Sequence, residues 1–225
     1  MESLKKDFLL FAKSQGIPSM LLDDYEKKTI TNTYIEPTVV EERNLNATAI
    51  SVFSRLMMDR IIFLGSEINS DLSNIISAQL LWLDSIDPSK DITIQCASPG
   101  GNVYDGYKII DTMEFVKPDI STISMGMVAS MAAVIACSGT KGKRFILPRA
   151  RFMIHQPLGG ASGQASDILI NAKEIEKVRT ELYTILSENS NLSYKQIENM
   201  ADRDCYMDAK EAVKHGFVDQ IITKK

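Results

Sequence analysis

From Arg60 onward the sequence alternates short apolar runs with stretches of helical periodicity, and that alternation restricts the folds open to the chain more than any other feature. Ile61–Leu64 is a candidate buried strand. Residues 70–86, capped by Ser70 or Asp71 and stopped by Pro88, carry apolar side chains almost all round a helix. Ile92, Ile94 and Cys96 alternate with Thr93 and Gln95, the period of a strand with one apolar face. Pro99-Gly100-Gly101 turns the chain into a helix over 103–115. A strand over 120–124, a helix over 130–137 ended by Gly139, and strands over 144–147 and 152–154 continue the pattern. The C-terminal part adds a helix over 194–201, a strand over 205–207, a helix over 209–214 closed by Gly216 and a strand over 218–222. This rhythm predicts an α/β fold with helices covering the strands, rather than a bundle or a β-sandwich.

Two segments stand outside the rhythm. Gly159, Gly160 and Gly163 lead into a long helix in which Ile168, Ala172, Ile175, Leu182 and Leu186 recur near heptad spacing. About 25 residues at ~1.5 Å each span about 37 Å, so this helix is either a core element or an arm reaching past the domain toward another subunit. At the other end, residues 2–14 place Leu4, Phe8, Phe11 and Ala12 at helical spacing, and residues 19–50 are mixed and polar around Pro37, the composition of a mobile arm or linker.

Composition excludes several classes of function. A net charge of −4 provides no basic field for gripping phosphates, and the cluster Lys141, Lys143, Arg144 is a short solvated turn, so a nucleic-acid role is not expected. Cys96, Cys137 and Cys205 lack the paired spacing of metal or redox motifs and read as reduced thiols. The apolar run after Asp7 is too short for a signal segment, and no run reaches the ~18 residues of a membrane span, so the expected location is the cytoplasm. The Gly-rich turns lack the Lys-Ser/Thr ending of a phosphate-binding loop, and no zinc-ligand spacing is present, so neither cofactor nor metal is expected.

The chemistry concentrates between Gly126 and Gln156. Ser130 opens a helix of small residues, which aims unpaired backbone N–H groups and the positive dipole end at any anion formed beside it. Such a serine is ordinarily only an N-cap; as a nucleophile it needs a base. The chain has two histidines. His215 precedes Gly216 at a helix end, where a cation has a dipole reason to be, whereas His155 is delivered to a sheet edge by the apolar strand before it. An orienting carboxylate is available in Asp202 or Asp204, which spacing alone does not separate. Gly100-Gly101 provides a backbone able to approach a reacting oxygen closely. These residues point to a Ser–His–Asp hydrolase.

The segments SPGGNVYDGYKIIDTM, GMVASMAAVIACSGTKGKRF, MIHQPLGGASGQASDI and RDCYMDAKEAVKHGFVDQII closely resemble the Clp protease proteolytic subunit family, ClpP, and the likeness runs from about Pro37 to the C-terminus. The resemblance implies a triad of Ser130, His155 and Asp204, oxyanion donors at the N–H groups of Gly101 and Met131, and a ClpP/crotonase-like fold of repeated ββα units with a protruding helical handle, here about 156–188. It also implies self-association into two stacked heptameric rings, a tetradecameric chamber in which unfolded polypeptides delivered by an AAA+ unfoldase are cut. The partner unfoldase would use ATP and this subunit no cofactor. Residues 1–36 would form an extension, a propeptide or a retained arm, ahead of a protease domain over 37–225. Family members commonly carry aromatic residues on the strand before SPGG, in the cleft where the unfoldase docks; Thr93 and Gln95 stand there in this chain. Two other readings follow: a partner-dependent or inactive subunit of a mixed ring, and an acyl-CoA enzyme of the crotonase type, which shares the oxyanion hole but not the triad.

Overall fold

A computed structural model describes residues 38–43 and 46–223. The expected helix over 2–14 and the extension over 1–36 lie outside the described residues. The chain divides into two compact units, 1–52 and 53–225. In the first, β1 (Thr38–Arg43) and β2 (Asn46–Ser51) form an antiparallel hairpin in register from Thr38 opposite Ser51 to Arg43 opposite Asn46. The sequence reads as linker here, yet Thr38, Val39, Val40, Thr48 and Ile50 are β-branched and favour extended backbone.

The second unit is built from a repeated motif. A five-stranded parallel sheet has the order β10-β7-β5-β4-β3, from β3 (Ile61–Leu64), β4 (Ile92–Cys96), β5 (Ile120–Ser124), β7 (Arg144–Ile146) and β10 (Gln220–Ile221). A second sheet holds β6 (Met127–Ala129), parallel to β8 (Arg151–Ile154), which runs antiparallel to β9 (Cys205–Met207). The chain moves from one sheet to the other and back: β5 leads to β6, and β7 leads to β8. The earlier strands do the same in miniature, for Ile68 after β3 and Gly101 after β4 form an isolated parallel bridge. Each extended pair is followed by a helix, so that every repeat ends a segment of the second layer close to its neighbour's.

After α1 (Val52–Met58), the helices α2 (Ser70–Ile86), α3 (Val103–Phe115) and α4 (Met131–Cys137) close these repeats. The cap of α2 is Asn69, whose side chain accepts the Leu72 N–H, rather than Ser70 or Asp71. Every residue of α4 is buried, and the helix packs against β5, β6, β8 and α3. Its alanines make this central position possible, and Gly106 on α3 yields further room: a Cβ there would come within 2.2 Å of the Met131 side chain. β6 is not expected from the sequence, because the three residues between Gly126 and Ser130 are too few to show a period. The last strand covers two residues, not five.

The long helix α5 (Ala165–Glu188) resolves into two halves. Val178, Leu182, Tyr183 and Leu186 belong to the core, whereas Ile168, Leu169 and Ile170 are exposed. The core reading of its periodicity therefore holds for the C-terminal half, while the N-terminal half leaves its apolar residues exposed. α6 (Tyr194–Met200) and α7 (Ala209–His215) complete the unit, and Gly216 caps α7 in the left-handed conformation at φ 78°. No helix among the described residues is long and apolar enough to cross a membrane. Thr93 and Gln95 lie on the half-exposed face of β4, and the register sets Gln95 between Phe63 and Ile123.

One ion pair ties the ends of several elements together. Arg144, only 4% exposed, makes two hydrogen bonds to the Asp219 carboxylate through Nε and Nη2, at 3.0 and 2.6 Å, and its Nη1 donates to the carbonyls of Cys137 and Asn189. It thereby joins β7, the turn before β10 and the C-terminal ends of α4 and α5. Burial pushes the Asp219 carboxyl up, but hydrogen bonds from the Arg144 side chain and backbone outweigh this and hold it below its usual value. Asp219→Ala leaves a buried guanidinium without its counter-charge and is expected to cost about 3–5 kcal/mol, read as a lowered urea midpoint at neutral pH. Only the ionised carboxylate pairs, so the difference between wild type and variant is expected to be full above the ordinary carboxylate pKa of about 3.9 and to vanish as pH falls through the lowered value of the folded state.

Candidate active site

Ser130 occupies the junction of β6 and α4. Its backbone lies at φ 55° and ψ −128°, a conformation that costs a non-glycine residue on the order of 1–3 kcal/mol. An ordinary N-cap serine is extended and accepts an N–H from the first turn; Ser130 makes no side-chain cap bond. The turn instead directs Oγ to His155, whose Nε2 stands 2.8 Å away. The Ser130 N–H donates to the Met153 carbonyl of β8 at 2.9 Å, which fixes the turn to the strand that delivers the histidine.

His155 directly follows β8, and its Nδ1 lies 3.0 Å from Asp204 Oδ1. The strand register explains why the partner is Asp204. Ile154 pairs with Cys205 in the antiparallel ladder of β8 and β9, and one further step sets His155 opposite Asp204. Asp202 is two residues too early: its carboxylate faces solvent and Arg203, 3.9 Å from the guanidinium Nε. An ionised carboxylate only accepts, so the assigned arrangement has Nδ1–H donating to Asp204 and Nε2 accepting the Ser130 hydroxyl proton.

Two glycines bring the second wall of the site against the serine. Gly100 at φ 97° and Gly101 at φ 149° adopt conformations that L side chains rarely take. A Cβ on Gly100 would lie 2.6 Å from Ser130 Cβ and 3.0 Å from Met131 N; one on Gly101 would lie 2.3 Å from the Ile68 carbonyl oxygen. The bridge to Ile68 uses the Gly100 carbonyl and the Asn102 N–H, so the Gly101 N–H takes no part in it. Met131 is in the first turn of α4, where no intrahelical carbonyl reaches its N–H. Both residues line one cleft with Ser130 and His155, a space of about 260 Å³ whose apolar wall includes Val103, Val134, Ile154, Leu182 and Leu186.

Ser98, which the sequence reading passed over, holds this loop. Its buried hydroxyl donates to the Ser66 carbonyl at 2.6 Å and accepts the Gly100 N–H at 3.1 Å, while its carbonyl accepts the Ala129 N–H next to the nucleophile. The available signal was a serine immediately before Pro-Gly-Gly, a turn-forming position. The two core cysteines offer no competing nucleophile: burial pushes the Cys96 and Cys137 thiols up to about 12.

A hydroxyl, an imidazole and a carboxylate in hydrogen-bonded series, beside two backbone N–H groups in a cleft with one apolar wall, constitute the machinery of a serine hydrolase. The Clp protease family model matches residues 44–225, and the chain belongs to that family. A Porphyromonas gingivalis protein named ATP-dependent Clp protease proteolytic subunit is 55% identical over 209 residues, 93% of this chain and 93% of its own length. A protein of the same name from Bacteroides fragilis is 52% identical over 220 residues, covering 97% of this chain and 99% of its own, and one from Bacteroides thetaiotaomicron is 51% identical over 220 residues.

Gly100→Ala tests the close approach of the two walls. The added methyl cannot be accommodated without moving backbone, so kcat on a short peptide is expected to fall by about 10²- to 10³-fold, the worth of one oxyanion donor, while the far-UV circular dichroism is retained.

Proposed function

We propose that the chain is the proteolytic subunit of an ATP-dependent Clp protease, a serine endopeptidase acting on unfolded polypeptides. The observation that carries the reading is His155 bridging the Ser130 hydroxyl and the Asp204 carboxylate at 2.8 and 3.0 Å. His155 takes the Ser130 proton as Oγ attacks the scissile carbonyl, and Asp204 stabilises the resulting imidazolium. The N–H groups of Gly101 and Met131 receive the oxyanion of the tetrahedral intermediate. The imidazolium then gives its proton to the leaving amine, and a water activated by the same histidine releases the acyl group from Ser130.

Assembly belongs to the same proposal. Family membership and the near full-length relatives support association into rings with a Clp ATPase as partner. In the finer form, two heptameric rings stack into a cytoplasmic tetradecamer through the exposed half of α5, the handle, with ATP consumed by the unfoldase and no cofactor held by this subunit. Residues 1–36 would precede the protease domain as an extension. Unfoldase docking would use the half-exposed sheet face, where Phe63 and Phe145 provide the aromatic surface that Thr93 and Gln95 do not. A crotonase-type acyl-CoA reaction has no use for a serine held against an imidazole, and the intact relay disfavours an inactive subunit.

Ser130→Ala is the direct test. It is expected to abolish fluorophosphonate incorporation and to lower peptide hydrolysis on the order of 10⁶-fold while leaving the assembled mass unchanged. Undiminished hydrolysis by the variant would overturn the assignment.

A further inference from the structure

The contact between Asp204 and His155 poses a mechanical problem. The Asp204 side chain is 55% exposed, and among the described residues its carboxylate hydrogen-bonds only to His155. Packing does not hold it, and residues 202–204 form an exposed run between α6 and β9. The position of the carboxylate is therefore set by whatever holds the backbone at the two ends of that run.

Both ends are held by the immediate neighbours of His155. On the downstream side, Ile154 pairs with Cys205 in the β8–β9 ladder. On the upstream side, the Gln156 N–H donates to the Ala201 carbonyl at 2.6 Å, and its side-chain Nε2 donates to the Asp202 carbonyl at 2.9 Å. The residue before the histidine and the residue after it thus grip the loop on either side of the carboxylate. The backbone bond survives most substitutions; the side-chain bond requires a donor at the reach of glutamine. A glutamate there has the same shape but turns a carboxylate toward the Asp202 carbonyl, replacing attraction with repulsion.

We infer that Gln156 is a positioning residue that holds Asp204 against His155, and that its side-chain amide is the removable part of the grip. Its hydrogen bonds go to Asp202 and Ala201 and to neither the nucleophile nor the oxyanion donors. Its contribution therefore falls on the chemical step and acts through Asp204. This rests on the assignment of Ser130, His155 and Asp204 proposed above.

The test is a double-mutant cycle on the full-length assembled protein with a short fluorogenic peptide, at enzyme concentrations that resolve residual turnover. Gln156→Glu is expected to lower kcat by about 10- to 100-fold, the penalty of displacing a catalytic group by about an ångström, with KM changed less than about two-fold. In an Asp204→Asn background the same substitution is expected to change kcat less than about two-fold, since the interaction through which it acts is already gone. Gln156→Met, an uncharged side chain of similar length without a donor, is to behave alike and is read in the same cycle if Gln156→Glu does not assemble. An equal loss in both backgrounds, a loss residing in KM, or no loss beside an intact Asp204 would overturn the inference. Asp204→Asn with unchanged kcat would instead sink the underlying assignment, so the two failures are distinguishable.

Discussion

A serine with positive φ at the junction of β6 and α4 is the constraint on which the other parts of the site depend. That backbone turn denies Ser130 the capping bond its place in the helix would normally give it and sends Oγ to the imidazole instead. Such a conformation persists only where the surroundings over-determine it. Here they do: β8 receives the Ser130 N–H, the fully buried α4 follows at once, and Gly100 presses against Ser130 Cβ from the other side. The strain, the glycine and the unpaired N–H at the start of α4 are three aspects of one arrangement. Relieving the turn would return the serine to an ordinary cap and break its contact with the imidazole, removing the proposed nucleophile and a proposed oxyanion donor together.

The repeated two-layer motif explains how residues from distant parts of the chain reach one cleft. As far as β8 each repeat gives a strand to the five-stranded sheet and then an extended segment to the second layer, and the site residues stand on or beside second-layer segments: Gly101 on its bridge, Ser130 after β6, His155 after β8, and Asp204 before β9. Neighbouring repeats stack in register, so four positions scattered over about a hundred residues become adjacent. Backbone hydrogen bonds between neighbouring segments then set the distances: Ala129 to Ser98, Ser130 to Met153, and Gln156 to Ala201. The site is positioned mainly by sheet geometry, with side-chain bonds from Ser98 and Gln156 at the two places where the ladder leaves a loop to be held.

Much of this was legible in the sequence, for identifiable reasons. β3, β4 and β5 carry apolar residues and, like α2 and α3, are bounded by turn residues, so their positions could be read directly. His155 stood out because the chain has only two histidines, and Ser130 because it opens a helix of small residues. The choice between Asp202 and Asp204 was not available from spacing, since it depends on the antiparallel register of β8 and β9. The motif resemblance pointed to Asp204, and the register gives the physical reason. β6 escaped notice for its brevity, and the hairpin before residue 52 because its turn and polar residues outweighed its β-branched ones. The two halves of α5 share one periodicity but not one fate. A heptad pattern reports an apolar stripe without saying whether its cover comes from the same chain.

The strained serine turn and the Gly100-Gly101 loop are proposed together to form one oxyanion site. A crystal structure of the protein with a peptide boronate addresses it directly, because the tetrahedral boronate mimics the reaction intermediate. Boron is expected to be bonded to Ser130 Oγ, with Ser130 retaining positive φ and one boronate oxygen within about 2.7–3.1 Å of both the Gly101 and Met131 nitrogens. A boronate attached elsewhere, or bound to Ser130 with that oxygen in solvent and neither N–H within reach, would contradict it.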